Sequence, residues 1–158
     1  MFREMRRSPQ ALSKEDMIDL LRNETRGVMS VNGDDGYPYG FPINHYYNEE
    51  DGKLYFHGAK IGHRVDAVKK DSKVSYCVYG QDYKKEGDWA YYVKSVIAFG
   101  KAELIEDYDE IERISRLLCE KFPCTNEYIE KEIEKDTQRT LLIALNIEYM
   151  TGKLVHEA

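Results

Sequence analysis

The chain has 158 residues, 42% of them apolar and 33% charged, with a formal net charge of −6. That length suits one domain whose core needs no support from disulfides or metal. The acidic balance argues against a general nucleic-acid binder, and the longest clean apolar run, Leu141–Leu145, is far short of the ~20 residues that cross a membrane.

Arg3, Arg6 and Arg7 open the chain without an apolar stretch behind them, unlike a secretory signal. Ser13 is the expected N-cap of an amphipathic helix over residues 13–23, with Asp16 reaching back and Met17, Leu20 and Leu21 on one face. A strand is expected from Arg26 to Val31, followed by turn chemistry at Asn32–Gly36. Tyr37–Tyr47 reads as a strand interrupted by Pro38 and Pro42, which confines it to an edge or a bulge. Lys53–His57 alternates as a further strand, and a short helix is expected from Ile61 to Lys69. Strands follow at Lys73–Tyr79 and Trp89–Ala102, separated by the polar stretch Gln81–Asp88. In the longer strand Val93, Ser95, Ile97 and Phe99 alternate against Lys94, Val96, Ala98 and Gly100. Helices at Glu110–Lys121 and Asn126–Lys135 flank Pro123, and Leu141–Glu148 closes the pattern as a strand. Turn-linked strands pair antiparallel, so the class is α+β with a small closed antiparallel sheet. One domain spans residues 1–158: barrel strands over about 26–102 and 140–150, and a helical insert over about 107–136.

Charge is unevenly spread. Between Lys53 and Lys73 there are six cations and two carboxylates, whereas acids dominate from Glu103 to Asp136. Within the basic island, Tyr55-Phe56-His57-Gly58-Ala59-Lys60-Ile61-Gly62-His63-Arg64 passes from strand through glycines into a helix start. Free N–H groups at a helix start bind anions, and Lys60, His63 and Arg64 are spaced to converge on a phosphate monoester. An ordinary strand-to-helix turn with solvated cations accounts for the same residues equally well. The proline-interrupted stretch Gly36–Tyr47 frees backbone groups that suit the edge of a flat heterocycle, although a packed edge strand is the simpler account. His57 and His63 have neither zinc-finger nor zincin spacing, and His45 is as compatible with packing as with function. Cys77, Cys119 and Cys124 are odd in number and lack metal-ligand spacing, so a reduced, cytoplasmic setting is expected.

Taken together, Asp35–Gly40, Pro42-x-Asn44, Leu54–Ala59, Gly62-His63-Arg64 and Ser95–Ala102 resemble the flavin-binding split barrels related to pyridoxamine 5'-phosphate oxidase, and within them the nitroimidazole-resistance branch. The resemblance covers roughly Arg6 to Lys153. It implies a six-stranded antiparallel split β-barrel with peripheral helices, forming a homodimer that holds FMN in two clefts at its interface. By position, Lys60, His63 and Arg64 hold the phosphate together with backbone of His57, Gly58 and Ala59 and the turn at Gly62. Pro42, Ile43 and Asn44 line the ring, Ser95 approaches from the long strand, and His57 is the catalytic proton donor. Trp89 and Tyr92 are candidates for aromatic contact from the partner subunit. The implied activity is an FMN-dependent oxidoreductase passing electrons from NAD(P)H to a small acceptor such as a nitroaromatic. The alternative is a non-catalytic flavin or haem carrier, with His45, His57 or His63 as the axial ligand. No Arg-rich C-terminal substrate segment follows Thr151-Gly152-Lys153, which counts against vitamin B6 oxidation.

Overall fold

A computed structural model describes residues 1–157. Its centre is a curled, fully antiparallel sheet of eight strands: β1 (Arg26–Asn32), β2 (Pro38–Asn44), β3 (Tyr46–Asn48), β4 (Lys53–Ala59), β5 (Lys73–Tyr79), β6 (Tyr83–Lys84), β7 (Tyr91–Ile105) and β8 (Thr140–Glu157). Seven of them run in the order β2-β1-β5-β7-β8-β4-β3, and the two-residue β6 pairs only with β7. The sheet is the expected split barrel, its six long strands joined by two short ones. The additional strands are short: His45 divides the aromatic stretch into β2 and β3, and the polar segment after β5 contributes β6.

Both edges follow from local chemistry. Pro38 and Pro42 lie opposite Asn32 and Val28 of β1, and β2 has no neighbour on its other side. The final strand is far longer than its apolar run suggested. β8 continues to Glu157 because β7 pairs with it along its whole length, with one bulge between Phe99 and Gly100. At the bulge a Cβ on Gly100 would lie 1.9 Å from the Asn146 carbonyl oxygen, so only glycine permits that approach.

The principal core fills the concave side with Leu21, Met29, Leu54, Phe56, Tyr76, Val78, Val96 and Leu145. On β7 the smaller row, Val96, Ala98 and Ala102, turns inward, while Ile97 and Val93 of the bulkier row face outward and stay partly exposed. Four helices flank the sheet: α1 (Lys14–Asn23), α2 (His63–Lys70), α3 (Tyr108–Cys119) and α4 (Asn126–Asp136). The Ser13 hydroxyl caps α1 by accepting from the Asp16 N–H at 3.1 Å, as its spacing predicts. The helices α3 and α4 sit between β7 and β8, and α3 covers the outer face of β4 and β8. There Tyr55, Ile111, Ile114, Leu142 and Ala144 form a second core. Leu141–Leu145 reads as one continuous apolar run because this double cover buries both faces of the strand.

Candidate functional site

β4 ends at Ala59 and the chain turns through Gly62, whose φ of 127° is a conformation that side-chain-bearing residues rarely adopt. Gly62 starts α2 without any side-chain cap, whereas Ser13, Asp107 and Thr125 cap the other three helices. The Gly62 carbonyl accepts from Val65 and Asp66 at 3.0 and 3.1 Å. The N–H groups of His63 and Arg64 remain at the open end of the helix.

Two side chains of this first turn rest on the aromatic row of β2. The Arg64 guanidinium lies 4.7 Å from the centre of the Phe41 ring, beside Gly58, where a Cβ would come within 3.6 Å of its Nη1. His63 stacks on Tyr39 with ring centroids 4.1 Å apart, and its Nε2 is 3.6 Å from an Asp34 carboxylate oxygen. Tyr39, Phe41 and Asp34 escaped the sequence reading. Their signal was the alternation of β2, which sets Tyr39 and Phe41 two residues apart on one face.

The other expected members divide. Lys60 turns away from His63 and Arg64: its Nζ is 3.4 Å from the Tyr108 hydroxyl and 5.0 Å from that ring's centre. The elbow therefore gathers two of the three expected side chains, because the Tyr108 π-face at the start of α3 draws Lys60. The Asn44 amide donates to the Thr25 carbonyl at 3.0 Å, and Ile43 pairs with Gly27 of β1. Both are engaged within the fold, whereas Pro42 remains exposed on the edge. Ser95 faces outward in the middle of the sheet, with Tyr79 and Lys153 as register partners.

His57 lies across the strand from the elbow. Alternation along β4 sends Phe56 into the barrel core and Tyr55 and His57 toward α3 and α4. The imidazole opens on a cavity of about 380 Å³ beneath α4. Desolvation pushes its pKa below the usual histidine value, against the pull of Asp136.

His45 is wholly buried and structural. Its Nε2 lies 2.7 Å from the Leu21 carbonyl, an acceptor, so this nitrogen carries the proton. Nδ1 then accepts from the Tyr76 hydroxyl at 2.8 Å. Burial, seconded by the nearby Lys121 ammonium, holds the pKa at about 4. Lys121 donates to the carbonyls of Glu24 and His45 at 2.5 and 3.1 Å, and burial lowers its own pKa to about 8. With both ring nitrogens committed, His45 is not available as an axial haem ligand. No group of three or more metal-ligating side chains occurs among the described residues.

Fold and elbow together define a split barrel with an uncapped helix start and an arginine beside its open edge. The family model described as pyridoxamine 5'-phosphate oxidase matches residues 13–154, and the chain belongs to that family. Several solved structures share the architecture. A candidate 5-nitroimidazole antibiotic resistance protein from Bacteroides thetaiotaomicron is 17% identical, with a TM-score of 0.74 over 93% of this chain and 87% of that one. An FAD-binding protein from Mycobacterium smegmatis is 21% identical, with a TM-score of 0.66 over 94% and 99% of the two chains. An FAD- and haem-binding protein from the same organism is also 21% identical, with a TM-score of 0.67 over 92% and 72%. At these identities the likeness is one of fold. No curated protein sequence matches the chain.

Proposed function

We propose that this chain is a flavin-dependent oxidoreductase that binds FMN by its phosphate at the α2 elbow and passes electrons from NAD(P)H to a small acceptor, such as a nitroaromatic. The observation that carries the reading is the elbow itself: an uncapped helix start where Arg64, free of any ion pair among the described residues, lies beside the side-chain-free Gly58. Those groups fit a phosphate monoester. The N–H groups of His63 and Arg64 donate along the helix axis, and the guanidinium supplies charge-assisted bonds. Membership in the family and the flavin-binding neighbours support a flavin as the bearer of that phosphate. The flavin supplies hydride and electron transfer when bound.

The chain's own residues then have distinct tasks. Arg64 neutralises the phosphate while Phe41 holds its guanidinium flat. Tyr39 and Asp34 orient His63. Lys60, drawn to Tyr108, contributes less than its position in the motif suggests. The ring is held along the exposed edge of β2 at Pro42. A second copy completes the cleft, a reading supported by Val28 and Ile97, large apolar residues exposed on the convex face of the sheet. Proton delivery from His57 to a ring on the β2 side is not part of this reading, because β4 stands between them.

Titration of flavin fluorescence tests the assignment. Loss of the Arg64 side chain removes charge-assisted bonds of ~1.5–3 kcal/mol, so Arg64→Ala is expected to weaken FMN binding about 10- to 100-fold. Lys60→Ala is expected to change it by less than about threefold. Equal FMN affinity in Arg64→Ala and the parent overturns the phosphate assignment. A haem absorption band in the purified protein, with no flavin, overturns the cofactor.

A further inference from the structure

The cavity on the far side of β4 is not used by the flavin reading. Its floor is His57, its walls are α3 and α4, and its far end is closed by the start of β8. At about 380 Å³ it has the size of a small-molecule pocket. Helical spacing builds both walls. Tyr128, Glu132 and Asp136 fall four residues apart along one ridge of α4, while Ile129 and Ile133 pack into the interior. Ser115 contributes a hydroxyl from α3.

The polar groups of this cavity are not consumed by the fold. Glu132 and Asp136 are half-buried and enter no ion pair among the described residues, unlike Glu130 on the next ridge, which is bound by Arg116. The His57 imidazole makes no hydrogen bond among the described residues, and desolvation lowers its pKa. Asp136 is also placed against local electrostatics. It is the last residue of α4, where the helix dipole already presents negative charge and an added carboxylate is unfavourable. Lys135 in the same turn and Arg139 on the rim stand near it without forming an ion pair among the described residues, whereas a cation in the cavity would meet both carboxylates and the dipole together. Arg139 is the one cation on the rim, so the lining carries a net negative charge with His57 neutral.

We propose that this cavity is a second binding site, for a small organic cation: a protonated amine on a flat body. The ammonium group sits between Glu132 and Asp136, the flat body stacks on Tyr128, and His57 accepts a hydrogen bond from the ligand. The site adjoins the phosphate elbow through Gly58 and Ala59, but the side chains assigned to the ligand come from α4 and His57, so it does not depend on a bound flavin.

Calorimetric titration of the full chain with tyramine and benzylamine, followed in parallel by the NMR resonances of the His57 ring, tests the proposal. Both amines are expected to bind with millimolar or tighter affinity and to move the His57 signals. Asp136→Asn is expected to weaken them tenfold or more while leaving the FMN affinity at the elbow unchanged. Glu132→Gln is expected to weaken them by a smaller factor, and Arg64→Ala should leave amine binding intact. Equal binding of benzyl alcohol would show an apolar slot and overturn the cation assignment. Tighter binding of benzoate would show that Arg139 leads recognition, with the same consequence. Absence of amine binding at millimolar concentration, or binding that leaves the His57 ring signals unmoved, overturns the site. If amine binding persists while FMN fails to bind, the flavin reading falls and this one stands.

Discussion

The imidazole of His45 touches α1 and β5 at once, through the Leu21 carbonyl and the Tyr76 hydroxyl. This neutral bridge titrates only when the fold pays for it. Its native pKa of about 4 lies below the ordinary value of 6.5. Between those values the unfolded chain takes up a proton that the native protein refuses, so stability falls as pH drops through that window. The shift corresponds to up to about 3 kcal/mol. Urea unfolding at a series of pH values is expected to show the parent losing stability between pH ~6.5 and ~4 by more than His45→Gln does. Equal slopes for the two would remove His45 as the source. At this same scale the elbow was legible only in outline. Residue types and spacing singled out Lys60, His63 and Arg64, but not that a tyrosine 48 residues along the chain would hold Lys60. Side-chain direction depends on what else is nearby.

Among the elements, β7 and β8 show how much one glycine can carry. The two strands pair from Tyr91–Glu157 through Ile105–Leu142, and their register shifts only at Phe99/Gly100. A methyl group there meets backbone that cannot yield locally, so Gly100→Ala is expected to destabilise by about 1–3 kcal/mol or more. Chemical denaturation measures this directly, and a change below about 0.5 kcal/mol would mean that the bulge simply slides. The element pattern also explains where periodicity sufficed. α1 and the proline-marked edge of β2 announced themselves through local chemistry, a hydroxyl cap in one and missing N–H donors in the other. The length of β8 did not, because Asn146–Glu157 lacks a strong pattern of its own and is extended by its pairing with β7.

For the molecule as a whole, the convex face of the sheet is the feature that a single chain leaves unexplained. Ile97 is 37% exposed and Val28 38% exposed, each in mid-strand, where a solvated face ordinarily carries polar side chains. The N-terminal segment covers part of the same face, with Phe2 stacked on Tyr149 at 5.0 Å and tilted against Phe99 at 5.7 Å. Under the dimer reading, Ile97→Glu places a charge in the contact between two copies. Sedimentation is expected to show a monomer with weakened FMN binding and an unchanged circular dichroism spectrum. A variant that keeps the parent's assembly state would exclude this face as the contact. No helix is long and apolar enough to cross a membrane among the described residues.

The amino-acid order alone settled what local chemistry can settle: a helix start with a hydroxyl cap, a proline-marked edge, and antiparallel pairing of turn-linked strands. The resemblance of its motifs to a known family pointed to the split barrel. Tertiary structure decided the rest, because those properties are relations between distant residues. His57 and Arg64 are seven positions apart and looked like one site, yet the two-residue period of β4 and the cover of α3 and α4 put them on opposite faces of a strand. Tyr128, Glu132 and Asp136 looked like a solvated acidic helix until the fold laid that ridge over the imidazole.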